Sequence, residues 1–410
     1  NQKTVGYYDY LQLINTGAVM NYAFGDTTKG DYAYESAPNS TDLTWETVIT
    51  KNIGLDLGFL NNRLNVSFDA YIRDTKDMLM AGKTLPGVYG ASSPRMNVAD
   101  LRTKGWEASI TWGDSFTLAS KPFNYRIMAG IGDNTSKVTK YDNPNRTLTD
   151  PYEGQQLGEI WGYVVDGYFK TDEEARNYKV DQSFVNQMIN ASALDNGLHA
   201  GDLKFVDLDG NNKIEQTTSA NDRKDMKVIG NSLPRYNYNF GISADWYGID
   251  FSVLFQGIGK QNWYPGAETS MFWGPYSRPY ASFIPSDFMS QVWSEENTDA
   301  YFPRPRGYVA LGSNRELAVV NTKYLQNLAY CRLKNLSIGY TLPDKWLSKI
   351  GFEKIRVYFS GENLLTFTKL HSDYIDPEQA SASNSWKTSK SDANIYPWAK
   401  TYSFGVDITF

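Results

Sequence analysis

Apolar and polar residues alternate in many stretches of the chain. Successive side chains of a β-strand point to opposite faces of a sheet, so alternation predicts strands with one apolar and one polar face. Nine such stretches occur in the 410 residues, at 52–59, 63–73, 106–112, 123–131, 240–246, 249–255, 336–342, 355–359 and 402–410. Several alternate for about 9–11 residues, whereas ordinary strands have about 5–6. The sequence therefore predicts an all-β fold with long antiparallel strands.

The connections between these stretches are alternately short and long. The short ones are 61–62, 114–122, 247–248 and 343–353, and the long ones are 76–96, 134–235, 258–327 and 370–400. Transmembrane β-barrels have short periplasmic turns and long extracellular loops, whereas a soluble sandwich has no reason to place every long loop at one end. The loop pattern favours a transmembrane barrel. Alternation alone also fits the half-buried sheets of sandwiches and propellers, and that alternative stays open here.

Composition narrows the functional classes. Aromatic residues make up 15% of the chain, yet the mean hydropathy is −0.49, a combination that suits glycan-binding β proteins and outer-membrane barrels. Lys and Arg number 40 against 46 Asp and Glu, which argues against a nucleic-acid partner. One cysteine, Cys331, and two histidines, His199 and His371, exclude a Cys-cluster or three-His metal centre within this chain. We predict no catalytic residue and no enzyme activity.

The final stretch has the pattern expected of a barrel-assembly signal. Its apolar face carries Tyr402, Phe404, Val406, Ile408 and the terminal Phe410. If this end is periplasmic, the stretch at 52–59 also runs inward and lacks an upstream partner, and nine strands is an odd number where bacterial single-chain barrels have an even one. We therefore expect the C-terminal part of a larger barrel, with 1–42 as an extracellular loop segment and 43–410 as strands and long loops.

Several motifs occur in an order that resembles one family. They are LTWE at 43–46, GEIWGYVVDGYF at 158–169, GDLKFVDLDGNNKI at 201–214, RLKNLSIGY at 332–340 and GENLLTF at 361–367. Together they resemble the SusC/RagA-like TonB-dependent transporters of the Gram-negative outer membrane. The resemblance implies a barrel of about 22 strands in outer-membrane lipid, an N-terminal plug and a TonB-contacting segment. We expect the plug, that segment and the remaining strands to be absent from this chain.

The same resemblance implies a function and partners. It implies nutrient import, with oligosaccharides as the first substrate class and peptides as the second. A SusD-like surface lipoprotein would close over the extracellular mouth, and the TonB complex would supply energy. No cofactor is required by this interpretation.

The segment Asp207–Glu215 resembles a calcium-binding loop. Asp207, Asp209, Asn211 and Glu215 supply oxygen atoms of the kind that hard cations need. The match is degraded, because Asn212 replaces the expected glycine and Thr218 stands where a bidentate glutamate is expected. A polar turn rich in Asx residues is the alternative. A bound Ca²⁺ that stiffens the long loop is the hypothesis.

The loop at 257–308 is rich in aromatic residues. They are Trp263, Tyr264, Phe272, Trp273, Tyr276, Tyr280, Phe283, Phe288, Trp293, Tyr301 and Phe302. Such rings could stack on sugars, pack into a core of the loop itself, or belong to the lipid-interface girdle. The candidates for substrate contact are Trp263, Tyr264, Trp273 and Tyr276.

Two rival functions also fit parts of the sequence. The aromatic residues and carboxylate pairs such as Asp245 and Asp250 suit a secreted glycan-binding or glycan-cleaving β protein, since glycosidases use two nearby carboxyl groups. On hairpin strands of alternating face, we interpret these carboxylates as part of a barrel wall. A passive structural barrel or adhesin is a third possibility, distinguished by independence from TonB.

Overall fold

The computed structural model describes most of the chain. The described residues are 11, 13–17, 23–24, 28–29, 32–35, 38–40, 43–83, 85–90, 93–186, 197–277, 284–305, 310–312, 315–347, 351–380, 390–391 and 396–410. Most of the predicted loop segment 1–42 and part of the predicted loop 370–400 lie outside this set.

Strands dominate the described residues. They are β1 (Ile14–Gly17), β2 (Ala23–Phe24), β3 (Thr28–Lys29), β4 (Tyr32–Glu35), β5 (Thr47–Phe59), β6 (Leu64–Ala81), β7 (Arg95–Leu118), β8 (Lys121–Lys140), β9 (Glu159–Tyr163), β10 (Val165–Tyr168), β11 (Leu203–Phe205), β12 (Met226–Asn231), β13 (Arg235–Trp246), β14 (Ile249–Lys260), β15 (Asn262–Pro265), β16 (Gln326–Asn327), β17 (Tyr330–Thr341), β18 (Lys354–Thr368), β19 (Lys390–Ser391) and β20 (Thr401–Thr409). The helices are α1 (Asp172–Arg176), α2 (Ser270–Trp273) and α3 (Asp344–Leu347), with 3₁₀ turns at Gly87–Tyr89, Gly274–Tyr276 and Phe288–Gln291. Within the described ranges, none of these helices has the length and apolar character needed to cross a membrane.

Nine strands form one antiparallel sheet, in the order β20-β18-β17-β14-β13-β8-β7-β6-β5. These are the nine strands that the alternation predicts. Strand β7 is 24 residues long and β8 is 20, several times the length of an ordinary strand. Among the described residues, β5 and β20 are the two edges and do not pair with each other.

The strands extend further than the side-chain pattern indicates. The predicted turn at 114–122 is only Ala119 and Ser120, because β7 and β8 continue to either side of it. Likewise β6 reaches Ala81 and β7 begins at Arg95, so the predicted loop 76–96 shortens at both ends. Backbone hydrogen bonds continue a ladder whether or not its side chains still alternate, which is why the pattern underestimates strand length.

The hairpin between β13 and β14 turns on two residues. Trp246 and Ile249 are register partners, and between them Tyr247 has φ 49° and Gly248 φ 85°. Positive φ at both central residues suits the right-handed twist of the flanking strands. Glycine fits here for a second reason, since a Cβ at Gly248 would lie 2.7 Å from the backbone oxygen of Thr341.

The two faces of this sheet differ sharply. One row of register partners is Ala244, Phe251, Ile338, Phe359 and Phe404, and the neighbouring row on the other face is Ser243, Ser252, Ser337, Ser360 and Ser403. The apolar row is open: Phe404 is 83% exposed and Ile338 44%. A contiguous exposed apolar surface of this kind marks contact with lipid or another apolar partner.

The five residues of the predicted assembly signal share that open apolar face. Tyr402, Phe404, Val406 and Ile408 of β20 and the terminal Phe410 are all exposed. The structure is thus compatible with lipid contact along β20, and the role of these residues in assembly stays a prediction.

The chain divides into two compact units. The first comprises 1–52, 71–104 and 135–156, and the second 53–70, 105–134 and 157–410. In the first unit, Arg102 makes two hydrogen bonds to the Asp74 carboxylate, at 2.6 and 3.1 Å. The Asn97 side chain also donates to the Thr44 backbone oxygen at 2.9 Å.

The second unit has its hydrophobic core in the long connections. This loop core contains Tyr163, Tyr168, Val185, Leu203, Phe205, Ile214, Trp263, Tyr264, Phe272, Trp273, Tyr276, Phe288, Val292, Trp293, Phe302, Leu311, Leu317, Val319, Tyr324, Leu328, Leu370 and Ile375, with four alanines. A soluble sandwich buries the apolar faces of its sheets against each other. Here the loops are packed internally while the apolar face of the sheet is open.

Candidate functional site

Hydrogen bonds and ion pairs hold the two opposed carboxylates on the polar face of the sheet. Asp245 and Asp250 are directly opposed on β13 and β14. Asp245 accepts a hydrogen bond from the Asn124 side chain at 2.8 Å, and Asp250 accepts two from Arg356 at 2.8 and 2.6 Å. Arg356 also contacts Asp407 at 3.2 Å. These interactions give both carboxylates a structural role, because they link neighbouring strands of the sheet. No catalytic role is needed to account for their presence.

The four aromatic candidates for substrate contact are buried. Trp263, Tyr264 and Trp273 are 0% exposed and Tyr276 is 1% exposed. A ring sealed from solvent offers no face to a sugar or peptide, so the structure corrects this expectation in favour of the alternative that the loop packs against itself. Tyr280 and Phe283 lie outside the described residues.

Hydrogen bonds explain why the polar ends of these rings tolerate burial. The Tyr264 hydroxyl donates to the Leu317 backbone oxygen at 2.8 Å, and the Trp273 indole N–H donates to the Gly266 oxygen at 3.0 Å. Burial raises the pKa of Tyr264 well above its usual value. Paired in this way, the polar atoms avoid the cost of desolvation, and the aromatic loop becomes a rigid core.

The side chains of the predicted calcium loop hold a polar turn. Asp207 accepts hydrogen bonds from the Gly210 and Asn212 backbone N–H groups, both at 2.7 Å. Asp209 accepts one from the Asn211 N–H at 3.1 Å. Glu215 contacts Asn211 at 3.0 Å and Lys224 at 3.5 Å. These contacts are typical of a polar turn rich in Asx residues, which is the alternative to a calcium site that the sequence analysis gave.

A third carboxylate, missed by sequence reasoning, completes an acidic cluster. Oxygen atoms of Asp207, Asp209 and Asp225 lie within 4.8 Å of one another. Asp225 is buried and accepts hydrogen bonds from the Leu208 and Glu215 N–H groups, at 2.8 and 2.7 Å. Burial raises the pKa of Asp225, and the charges of Asp209 and Asp207 raise it further. Its distance along the chain from Asp207 matches no loop motif, so only the structure reveals it.

Calcium binding by this cluster stays a prediction. Clustered carboxylate oxygens fit a hard cation, and few charged ligands imply weak affinity, about 10⁻⁴–10⁻³ M. In calorimetry on the purified protein we expect Asp209→Asn to weaken Ca²⁺ binding about tenfold, because it removes one charged ligand. Asp222→Asn, which changes an exposed carboxylate paired with Lys224, should leave binding unchanged. Absence of heat and of bound metal at millimolar Ca²⁺ would contradict the hypothesis.

A buried ion-pair network joins β17 to the segment at 369–380. Arg332 contacts Asp376 and Glu378, each at 2.6 Å, and Lys334 contacts Glu378 at 2.8 Å. The side chains of Arg332 and Asp376 are only 3% and 5% exposed. Sequence reasoning placed Arg332 in a family motif without finding its partners, because nothing in the spacing links residues 44 and 46 positions apart.

Comparisons with known proteins agree with this architecture. The family model described as "TonB dependent receptor-like, beta-barrel" matches residues 7–364. TonB-dependent receptor P3 of Formosa agariphila is 28% identical over 388 residues, which are 90% of this chain and 34% of that protein. TonB-dependent receptor SusC of Bacteroides thetaiotaomicron is 24% identical over 408 residues, 98% of this chain and 36% of that protein.

A solved structure has the same fold. The RagAB peptide importer in its open-open state aligns with a TM-score of 0.69 at 22% identity, over 99% of this chain and 38% of that chain. This chain therefore spans little more than a third of the length of the relatives that it matches. The resemblance inferred from the motifs is confirmed: the chain belongs to the TonB-dependent receptor β-barrel family and is SusC/RagA-like.

Proposed function

We propose that this chain forms part of the wall and extracellular mouth of a nutrient importer in the outer membrane of a Gram-negative bacterium. The observation that carries the proposal is the open apolar face of the nine-stranded sheet, exemplified by Phe404 at 83% exposure. In lipid that face replaces water contact with hydrocarbon contact, while the serine row and the Arg356–Asp250 pair face an aqueous interior.

Membership of the family supports a proposal for the substrate class and the partners. We propose oligosaccharides as first substrates and peptides as second, a SusD-like lipoprotein as the lid, and energy from the TonB complex. The relative named SusC and the neighbour named a peptide importer support import as the activity. Uptake that is lost when TonB is deleted would separate an importer from a passive barrel.

The rival function is a secreted glycan-binding or glycan-cleaving protein. Such a protein stays in solution without detergent, and its apolar strand faces are covered. The open Ala244–Phe404 row and the engagement of Asp245 and Asp250 in wall contacts both favour the importer.

Two substitutions on adjacent residues of β13 test the membrane placement. Ile242 lies on the open apolar face and Ser243 lies in the serine row of the opposite face. We expect Ile242→Arg to cost about 2–4 kcal/mol, because it places a charge in hydrocarbon, and Ser243→Arg to cost much less because its side chain meets water. The measurement is the fraction of folded full-length protein in the outer membrane. Equal losses for the two variants would contradict a lipid-facing apolar row.

A further inference from the structure

A cavity of about 570 Å³ lies within the second unit, beside the outer halves of β17 and β18. Its wall comes from Arg332 and Thr366 of these strands and from the two segments 372–377 and 396–400. Sites for small ligands in proteins are usually concave and largely apolar, with volumes of about 300–1,000 Å³. The cavity is therefore large enough for a ligand of several rings or residues.

The cavity opens on the polar side of the sheet. Arg332 Nε donates to the Thr366 hydroxyl at 3.0 Å, and the two residues are register partners on β17 and β18. Arg332 is buried in its ion-pair network with Asp376 and Glu378. A buried network of charges is incompatible with a hydrocarbon-facing surface. The part of the cavity wall that Arg332 forms therefore does not face hydrocarbon.

Three aromatic side chains at the cavity are exposed, unlike those of the loop core. Tyr396 is 89%, Trp398 51% and Tyr374 47% exposed. The Trp398 backbone N–H donates to Asp376 at 3.1 Å, which fixes its main chain, and Lys334 Nζ lies 5.6 Å from its ring centroid. With the cation above one face of the indole, the other face is the one available for stacking.

A β-bulge places an unsatisfied acceptor at the same wall. The register between β17 and β18 shifts between Leu333 and Asn335, and Asn363 in the bulge has φ 53°. The Asn363 Oδ1 atom is buried with no hydrogen-bond partner, while its Nδ2 makes only a 3.3 Å contact with the Ala399 oxygen. A buried acceptor without a donor carries a desolvation cost that a hydroxyl donor would remove. Bulges and unusual backbone angles cluster at functional sites.

The charges of the cavity wall balance. Arg332 and Lys400 are matched by Asp373 and Asp376, and Arg332 is already neutralised by its carboxylate partners. Such a wall carries no excess charge to select an anion or a cation. It selects a neutral ligand with flat apolar faces and hydrogen-bond donors at its edges.

We propose that this cavity is a binding subsite for a neutral oligosaccharide, with Trp398 and Tyr396 as stacking surfaces and Asn363 Oδ1 as the acceptor for a sugar hydroxyl. Stacking apposes a sugar ring to an aromatic face. Because Asn363 Oδ1 is sealed from solvent, its amide must rotate toward the cavity before it can accept a hydrogen bond from a sugar hydroxyl. The proposal deepens the proposed function, because it names the substrate class that the importer takes at its mouth.

A peptide is less well matched to this wall. Extended peptides bind chiefly through main-chain hydrogen bonds to a free strand edge. In the loop walls, Pro377 and Pro397 have no N–H to offer, and the N–H groups of Tyr374 and Trp398 already donate to Ser372 and Asp376. These four positions therefore offer no backbone N–H to an extended peptide, whereas the rings of Tyr374 and Trp398 are exposed.

The test is calorimetry on the purified full-length protein with neutral hexasaccharides of glucose, galactose, mannose and xylose. We expect one of them to bind, Trp398→Ala to weaken that binding about tenfold, and Asn363→Gly to weaken it several-fold. Glycine tolerates the positive φ at this position, so this variant removes the acceptor and keeps the bulge. Trp346→Ala, at an exposed tryptophan away from the cavity, is the matched control and should not change the affinity.

Three outcomes would overturn the subsite. They are no binding of any hexasaccharide, binding unchanged in both Trp398→Ala and Asn363→Gly, and tighter binding of uncharged hexapeptides that is lost in the same variants. Binding by the purified protein needs neither TonB nor a membrane. If Ile242→Arg and Ser243→Arg behave as expected but no hexasaccharide binds, the proposed function therefore stands and only the subsite is rejected.

Discussion

Replacing Trp273 by alanine is expected to lower the local free energy of unfolding of the loop core by about 3–5 kcal/mol. The side chain is fully buried, and its ring centroid lies 4.8 Å from that of Phe272 and 5.2 Å from that of Tyr324. Alanine removes these contacts and leaves a cavity that neighbouring rings fill only in part. It also removes the indole hydrogen bond to the Gly266 oxygen, which then keeps only the bond from the Thr269 N–H at 3.1 Å.

Hydrogen exchange of full-length protein in detergent measures this effect. Amides at 262–277 and 315–328 should exchange roughly 100- to 4,000-fold faster, since each 1.4 kcal/mol corresponds to a factor of ten. The matched control is Trp346→Ala in α3, where the side chain is 62% exposed. Its effect on these amides should be negligible. Unchanged protection in Trp273→Ala would mean that the loop core is not one cooperative unit.

The strands could be predicted because their signal is local. That Ile242 and Ser243 lie on opposite faces follows from the two-residue period of a strand, and the register rows confirm it from β13 to β20. The Tyr247–Gly248 turn is similarly local. Strand ends were less predictable, because the backbone ladder runs past the last alternating side chain, as at Ala81 and Arg95.

The fate of the loop residues could not be predicted, because it depends on distant partners. The hydroxyls of Tyr168 and Tyr324 hydrogen-bond at 2.9 Å although they are 156 positions apart. The local sequence around a tryptophan such as Trp263 does not show whether its side chain is buried or exposed. Only the packing separates it from Trp398, which is open at the cavity. For the same reason the sequence pointed to the wrong aromatic residues as candidates for ligand contact.

This distribution of aromatic residues has a functional consequence. A loop core that is internally packed can hold long connections in one conformation without help from the sheet. Long loops then act as fixed walls for a cavity, and few residues need to be ordered when a ligand binds. Tyr374 and Trp398 depend on this support through Ser372 and Asp376, which bind their backbone N–H groups.

Removing the Arg332 side chain should break the ion-pair network that joins β17 to the segment at 369–380. We expect Arg332→Met to lower the free energy of unfolding by about 3–5 kcal/mol, because it leaves the buried Asp376 carboxylate without its cation. Lys334 still neutralises Glu378 at 2.8 Å. The measurement is the shift in guanidinium midpoint of the full-length protein in detergent at constant m-value.

Two further variants decide whether the loss comes from the buried charge. Arg332→Met combined with Asp376→Asn removes both charges of the closest pair, so about half or more of the lost stability should return. Arg63→Met is the control for an open ion pair, since Arg63 and Asp114 are 3.3 Å apart with side chains 54% and 21% exposed. Solvent screens that pair, and its loss should cost about 0–1 kcal/mol. If Arg332→Met costs no more than Arg63→Met, the network does not anchor the segment at 369–380, and the cavity wall must be held by the loop core alone.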